Sequence, residues 1–438
     1  MNWREKLVSH STLPSILVPS QSSPQAPRPP AGRFSTRRAL LAVALPALLA
    51  GCYDNHDCYN CYSYTPTEVS YGVASADFNG DGLADVIALS TVHPIQMANA
   101  SDLKAYLTGA GGAFAAPTFT AAGTDPLYLV AADVNGDGFQ DVVTASYDDG
   151  AIAVFFNNAT APGSFNPPLV LPSPGASQLA IADMTGDGLA DIVSADFGVS
   201  LFVQTSPGTF AAPIGLYSGG ANWVAVGDLN HDGAPDVVLT DAVDVKLLLH
   251  TGAPSATTYA APVSVFTPTL NQNVVGGSII AIADVDGDGY NDLVITDPGP
   301  TGGAAATVNV LRQDPANRGT FLAPVPYPIA MQDRPQSILL TDLQGSGQLD
   351  IVIGEQQQVT VLLHDPANPG KFLPASVYAA PGAYEITVAD VNGDGLPDIV
   401  VSNGVTNPTV NGVVTTGPGV LLQSAATPGT FGTLQDLP

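Results

Sequence analysis

Seven copies of one acidic, glycine-bearing loop, four short strand-like runs in each copy, and 45 Gly with 38 Pro in 438 residues predict an all-β fold, a seven-bladed β-propeller. The loops begin at Asp77, Asp133, Asp183, Asp228, Asp284, Asp342 and Asp390, at spacings of 45 to 58 residues, and fill the chain from 69 to 438. A linear β-solenoid is the competing arrangement, but its calcium-binding repeats recur about every nine residues rather than every fifty.

Within each copy the elements follow in a fixed order. A strand of small apolar residues leads in, as in Leu129-Val130-Ala131-Ala132 or Ile280-Ala281-Ile282-Ala283, and crowding at the axis of a ring explains the small side chains. The acidic loop follows, then a β-branched strand such as Asp141-Val142-Val143-Thr144 or Asp398-Ile399-Val400-Val401. A third strand (Ile152 to Phe156, Val245 to Leu249, Val359 to Leu363) ends at a Gly or Pro turn. One aromatic then recurs per copy, at Phe114, Phe165, Phe210, Tyr259, Phe321, Phe372 and Phe431. It is expected to open the fourth strand and to pack between neighbouring copies. Ring closure would leave only short, protected sheet edges.

Residues 1–51 read as an N-terminal extension followed by a signal peptide. Arg37-Arg38 precedes an apolar run from Ala39 to Ala50, too short to span a bilayer, for which about 20 residues are needed. The run ends in Leu49-Ala50-Gly51-Cys52, which resembles the lipobox of bacterial lipoproteins, so Cys52 is the expected lipidation site and the mature N-terminus. The paired arginines also resemble a twin-arginine export signal, without its usual Phe. The expected location is the cell envelope, with the chain lipid-anchored in the outer membrane on its periplasmic or surface side. Residues 52–68 form a tether whose Cys58 and Cys61 are one ligand pair short of a zinc site and are read as a local disulfide or a passive link.

Without the first 51 residues the chain carries 6 basic and 38 acidic residues, a net charge of −32. Such a surface repels nucleic acid and anionic lipid headgroups, so no nucleic-acid partner is expected. Of its 35 aspartates, 21 lie in the repeated loops. The acidity therefore points to cation binding.

The clearest loop is Asp284-Val285-Asp286-Gly287-Asp288-Gly289-Tyr290-Asn291-Asp292. Side-chain oxygens at positions one, three, five and nine, with a backbone carbonyl at seven, can converge on one hard cation because the glycines let the backbone fold around it. An EF-hand would need a bidentate Glu at position twelve and flanking helices; Ile295 stands there, and both flanks read as strands. The motif resembles the FG-GAP or VCBS-type repeats of the integrin α-subunit propeller. That resemblance implies calcium ligands at Asp77, Asn79, Asp81 and Asp85; at Asp133, Asn135, Asp137 and Asp141; and at Asp183, Thr185, Asp187 and Asp191. They continue at Asp228, Asn230, Asp232 and Asp236; at Asp284, Asp286, Asp288 and Asp292; and at Asp390, Asn392, Asp394 and Asp398. Leu83, Phe139, Leu189, Ala234, Tyr290 and Leu396 would lend backbone carbonyls. About five or six calcium ions (Ca2+) are expected on ligand count. The copy from Asp342 to Asp350 has Gln344 and Ser346 at two ligand positions and is expected to bind weakly or not at all. Thr185 offers a single hydroxyl, and His231 stands where the other loops have a turn glycine.

Antiparallel strands alternate direction, so the acidic loops mark one face of the ring and a partner is expected on the other. Candidate contacts there are the segments 91–103, 297–306 and 403–419, with Tyr128, Trp223, Arg334 and Tyr384. Trp223 is read evenly as a packing residue or a ligand contact. No nucleophile elbow, zinc-protease helix or phosphate-cradling loop occurs in the sequence, and His93, His231, His250 and His364 are scattered. The leading expectation is a monomeric, calcium-stabilised binding or adhesion scaffold for a protein or a glycan, and no catalytic residue is assigned. The alternative is a lectin or a polysaccharide-acting hydrolase or lyase.

Overall fold

Among the described residues, Gly- or Asp-rich turns alternate with short apolar runs too brief for a stable helix, and strands form instead. A computed structural model describes residues 67–93, 100–109, 112–124, 126–253, 257–269, 278–299, 306–330, 335–402 and 417–437. The predicted export segment, Cys52 and the Cys58–Cys61 pair lie outside them. Among the described residues no helix is long and apolar enough to cross a membrane.

The strands assemble into seven four-stranded antiparallel sheets, each built from consecutive segments of the chain. Blade 2 shows the plan: Tyr128–Ala132, Asp141–Ser146, Ala151–Phe155 and Leu169–Pro172. The first strands of the others are Thr67–Ala76, Gln178–Ala182, Trp223–Gly227, Ile280–Ala283, Pro335–Thr341 and Ile386–Ala389. Each first strand lies beside the first strands of the blades before and after it, and that of blade 7 lies beside that of blade 1. The ring is therefore closed, and the fold is a seven-bladed β-propeller.

Burial is layered from the axis outward. The second strand is completely buried in blades 2 to 7 and over residues 85–90 of blade 1, the fourth is the most exposed, and the last three residues of the first strand are half-buried along the axis in blades 2 to 7. The axis is thus less tightly filled than crowding alone predicted. Seven apolar clusters hold the ring together, and each spans the junction of two neighbouring blades. Because every sheet is made from one stretch of chain, the closing junction has no shared sheet. Val391, Val400, Val420 and Leu437 of blade 7 pack there on Val73, Val86, Ala88 and Tyr106 of blade 1.

The once-per-blade aromatic departs from expectation in one respect. It does not open the fourth strand. Phe165 instead pairs with Asn157, Tyr259 with His250, Phe372 with His364 and Phe431 with Gln423, closing a short hairpin before that strand begins. The turn chemistry (Asp314 to Thr320, Asp365 to Lys371) folds the chain back on strand three first. The expected packing between copies does occur: Phe165 meets Phe78 of blade 1 edge-on at 6.0 Å, and Phe372 meets Tyr327 of blade 5 at 5.5 Å.

At the end of the axis away from the acidic loops, the residue five places before the loop reaches into the next blade in blades 3, 4 and 7. Gln178 Oε1 accepts from Val224 N at 2.8 Å, Trp223 Nε1 donates to the Ile280 carbonyl at 2.9 Å, and Glu385 Oε2 accepts from Val73 N at 3.0 Å across the closing junction. Tyr128 and Trp223 meet edge-on at 6.2 Å. Trp223 is therefore a packing residue. Substituting Trp223→Phe removes the donor to a carbonyl at a blade junction and should cost about 1 to 2 kcal/mol in chemical denaturation.

Candidate metal centres

Each acidic loop is shaped by its own first aspartate. In blade 1, Asp77 Oδ1 accepts from Gly80 N (2.7 Å) and Asp81 N (3.1 Å), and Oδ2 from Gly82 N (2.8 Å). Asn79 Oδ1 accepts from Asp81 N, and Asp81 Oδ1 from Leu83 N. The same pattern recurs around Asp133 and Asn135, Asp284 and Asp286, and Asp390 and Asn392. The backbone must turn through positive φ at the fourth position, where six loops have glycine; His231 holds φ 58 there, the single non-glycine among the described residues to do so. Its ring lies against Tyr290 of the next blade at 5.1 Å between centroids.

The ninth-position aspartate behaves differently. Asp85 is buried, its Oδ2 accepting from Phe78 N (3.0 Å) and Asn79 N (3.2 Å) and its Oδ1 from Thr108 N (2.6 Å) at the end of strand three. All seven blades repeat the arrangement. Asp141, Asp191, Asp236, Asp292, Asp350 and Asp398 each accept from the loop's second residue and from Asn157, Gln204, His250, Gln313, His364 and Gln423 respectively. Each carboxylate thus pins the loop to the third strand, a second duty that ligand spacing alone did not reveal. Burial pushes the carboxyls of Asp85, Asp141, Asp236 and Asp398 up to about 6 and that of Asp292 up to about 7; Asp191 and Asp350 are raised as well.

The residue that donates to this carboxylate also ties the loops of adjacent blades together. Asn157 Nδ2 donates to the Phe78 carbonyl of blade 1 at 2.8 Å, Gln204 Nε2 to the Val134 carbonyl of blade 2 at 2.9 Å, and Gln313 Nε2 to the Leu229 carbonyl of blade 4. The following hairpin lies on the preceding blade's loop. A Cβ on Gly370 would strike Asp286, and one on Gly112 would strike the Asn392 backbone. The acidic loops and these hairpins therefore share one face.

The donor set suits a hard dication: carboxylates, amide oxygens and hydroxyls, with no thiolate or imidazole at the ligand positions. In blade 5 the carboxylates of Asp284, Asp286 and Asp292 lie within 4.8 Å of one another, close enough to share one cation. Asp286 there also receives Arg312 Nη1 at 3.3 Å. Position three of the other predicted loops is Asn79, Asn135, Thr185, Asn230 or Asn392. Thr185 Oγ1 is buried and has no hydrogen-bond partner, the one side-chain oxygen at a ligand position left so. A calcium ion would satisfy it. In blade 6 the Asp342 carboxylate is taken up by Ser346 N, Ser346 Oγ, Gln344 N and Gly347 N, and no second carboxylate stands at position three or five. The residues present fit calcium in the six predicted loops better than in the seventh. Bound there, the ion would supply positive charge and no reactive group.

Of the residues predicted for the opposite face, Arg334 and the stretches 94–99, 300–305 and 403–416 fall outside the described residues. Tyr128 and Trp223 are packed on each other, and the Tyr384 hydroxyl accepts from Gln356 Nε2 at 2.9 Å. Among the described residues, the large apolar groups exposed on that face include Leu127, Tyr147, Phe197 and Val243, three of them at turns between second and third strands. Sequence reading passed over them, although Tyr147, Phe197 and Val243 each follow an aspartate or precede one within two residues, in a turn too short to bury a large side chain.

No curated protein matches the chain. Among solved structures, an Agrocybe aegerita lectin that recognises non-reducing terminal N-acetylglucosamine is similar at 20% identity and a TM-score of 0.48, over 72% of this chain and 80% of the lectin. BBS1N in complex with ARL6DN is similar at 10% identity and a TM-score of 0.45, over 76% of this chain and 89% of the other. The rhamnogalacturonan lyase YesW is similar at 11% identity and a TM-score of 0.43, over 76% and 70% of the two chains. Five stretches, residues 77–144, 133–194, 183–239, 284–353 and 342–401, match the FG-GAP-like repeat and together take in more than half of the sequence, so the chain belongs to the FG-GAP-like repeat family.

Proposed function

We propose that the chain is an exported, lipid-anchored, calcium-stabilised propeller that serves as a binding or adhesion scaffold for a protein or glycan partner. One observation carries the reading. The acidic loops, already turned by their first aspartate and pinned by their ninth, are confined to one face, which leaves the turns of the other face free of that duty. Calcium in six of those loops would neutralise carboxylates that otherwise repel, and its role is structural. No catalytic pair has been assigned, and an enzyme acting on polysaccharides is the second reading.

Cross-linking of calcium-loaded protein in intact cells, beside a glycan array and a polysaccharide turnover panel, separates these readings. A single protein or glycan captured reproducibly and lost after chelation is expected. Turnover without capture would replace the scaffold by the enzyme. The anchor has its own test: mass spectrometry should find a lipid-modified Cys52 at the mature N-terminus, and Cys52→Ser should move the protein from the detergent phase to the aqueous phase.

A further inference from the structure

Tyr147 and Phe197 sit on consecutive blades, at the turns between second and third strands, on the face away from the acidic loops. Their rings meet edge-on at 6.2 Å, yet each remains half exposed or more, at 50% and 65%. Leu127, 46% exposed, is tied beside them by its N–H to the Ala145 carbonyl, and Val243 extends the apolar tips to blade 4 at 53%. Two exposed aromatics in contact at neighbouring turns are unusual in a chain with only 7% aromatic residues.

The same turns carry Asp148, Asp149, Asp196, Asp241 and Asp244. Lys246 is paired with Asp241 at 2.6 Å and lies 3.5 Å from Asp244, so that part is balanced. Asp148, Asp149 and Asp196 have no ion pair among the described residues. Asp149 and Asp196 are nonetheless held in place: Asp149 Oδ2 accepts from Thr124 N, Asp196 Oδ1 from Gly198 N, and Asp196 Oδ2 from Ser200 Oγ. Ionised carboxylates only accept hydrogen bonds, and the serine hydroxyl beside them already donates inward. A sugar presents both donors and acceptors and would find few donors here. A guanidinium or ammonium group presents donors alone, carries the opposite charge, and is attracted by aromatic faces. The chain itself shows the pattern elsewhere: Lys104 Nζ lies 5.6 Å from the Phe119 ring centre, and Arg318 lies over Tyr290 at 5.9 Å. Tyr147 and Phe197 have no such cation among the described residues.

We propose that the Tyr147–Phe197 pair and its fixed carboxylates form a docking surface for a basic protein segment that lays an arginine or lysine side chain over the rings. The proposal rests on the scaffold reading and names the chemistry of its partner. It is tested by fluorescence anisotropy with a labelled twelve-residue peptide of alternating Arg and Gly, on calcium-loaded protein at 150 mM salt. The double variant Tyr147→Ser/Phe197→Ser leaves the net charge unchanged, and Val263→Ser/Val377→Ser on the outer strands serves as its control. Binding by the wild type and the control, and binding about tenfold weaker or worse by the aromatic variant, is the expected result. Equal affinity for wild type and aromatic variant, or no binding of this peptide, would overturn the proposal. So would an oligosaccharide that binds the wild type and is lost in the aromatic variant, because it would assign the pair to a glycan. Cross-linking in cells with the aromatic variant tells the two readings apart: a native partner still captured removes this surface but keeps the scaffold.

Discussion

Chelation is expected to lower the melting temperature of the calcium-loaded protein by more than about 10 °C. Ligands that bind the native state alone stabilise it by about 2.7 kcal/mol per site at a hundredfold excess over Kd, so five or six loops would contribute roughly 13 to 16 kcal/mol. A domain of 150 to 250 residues shifts by about 2 to 4 °C per kcal/mol, and a larger ring by less. Even a fraction of the full contribution therefore produces a shift that differential scanning fluorimetry resolves easily. Identical melting with calcium and with chelator would remove the basis for reading the loops as metal centres.

Acid should act in opposite directions on the two forms. The ninth-position aspartates are buried, and their native pKa values lie above the ordinary carboxylate range, at about 6 for four of them and about 7 for Asp292. Between roughly pH 4 and those values the native metal-free state holds protons that the unfolded chain has released. Stability of the chelated protein therefore falls as pH rises through 6 to 7, and the penalty is fully present above that range. With calcium, protons compete with the metal for the same carboxylates, so acidification from pH 7 to 5 destabilises. Melting curves of the two forms should converge toward pH 5 and diverge toward pH 8; parallel curves would contradict the linkage.

Much of this was legible in the sequence because the chain repeats itself. Seven loops in register give the blade number, the strand order and the face that carries the acids, since each repeat independently reports the same local chemistry. Single copies would have been ambiguous. What the sequence hid is whatever depends on the third dimension. Asp85 and Asp77 look alike as letters, yet one is buried beneath the loop and the other shapes its rim. Gln204 and Gln313 read as ordinary strand ends, but their amides reach the loop carbonyls of the preceding blade. Trp223 could not be placed from spacing, because burial and binding both favour tryptophan; its bond to the Ile280 carbonyl decides for packing. The aromatic after strand three was assigned to the wrong element because hairpin closure precedes the fourth strand, and a lone bridge leaves no periodic trace.

Blade 6 allows the pinning role of the ninth aspartate to be separated from metal binding. Its loop has Gln344 and Ser346 at positions three and five, and so at least one carboxylate fewer than the other six, yet Asp350 is as buried as its six counterparts and accepts from Leu343 N at 2.9 Å and His364 N at 2.8 Å. If that residue were kept only as a ligand, a loop with weakened metal affinity would have no use for it. Asp350→Ala leaves those two buried N–H groups, and the His364 ring nitrogen 3.0 Å away, without their acceptor. At about 1 to 3 kcal/mol per orphaned buried donor, the cost should be roughly 3 to 5 kcal/mol. It should be the same with calcium and with chelator. Asp350→Asn keeps one oxygen and should recover about half of it. Asp292→Ala in blade 5 removes the same kind of pin, from Val285 N and Gln313 N, and also one of three clustered carboxylates. Under chelation its cost should lie below that of Asp350→Ala, because no ring nitrogen is orphaned, and in calcium it should rise while that of Asp350→Ala does not, with one fewer ion in metal analysis. Denaturant titrations of the two variants in both conditions give four numbers; a calcium-dependent loss for Asp350→Ala equal to that of Asp292→Ala would mean that blade 6 binds metal after all and that position nine acts through the ion.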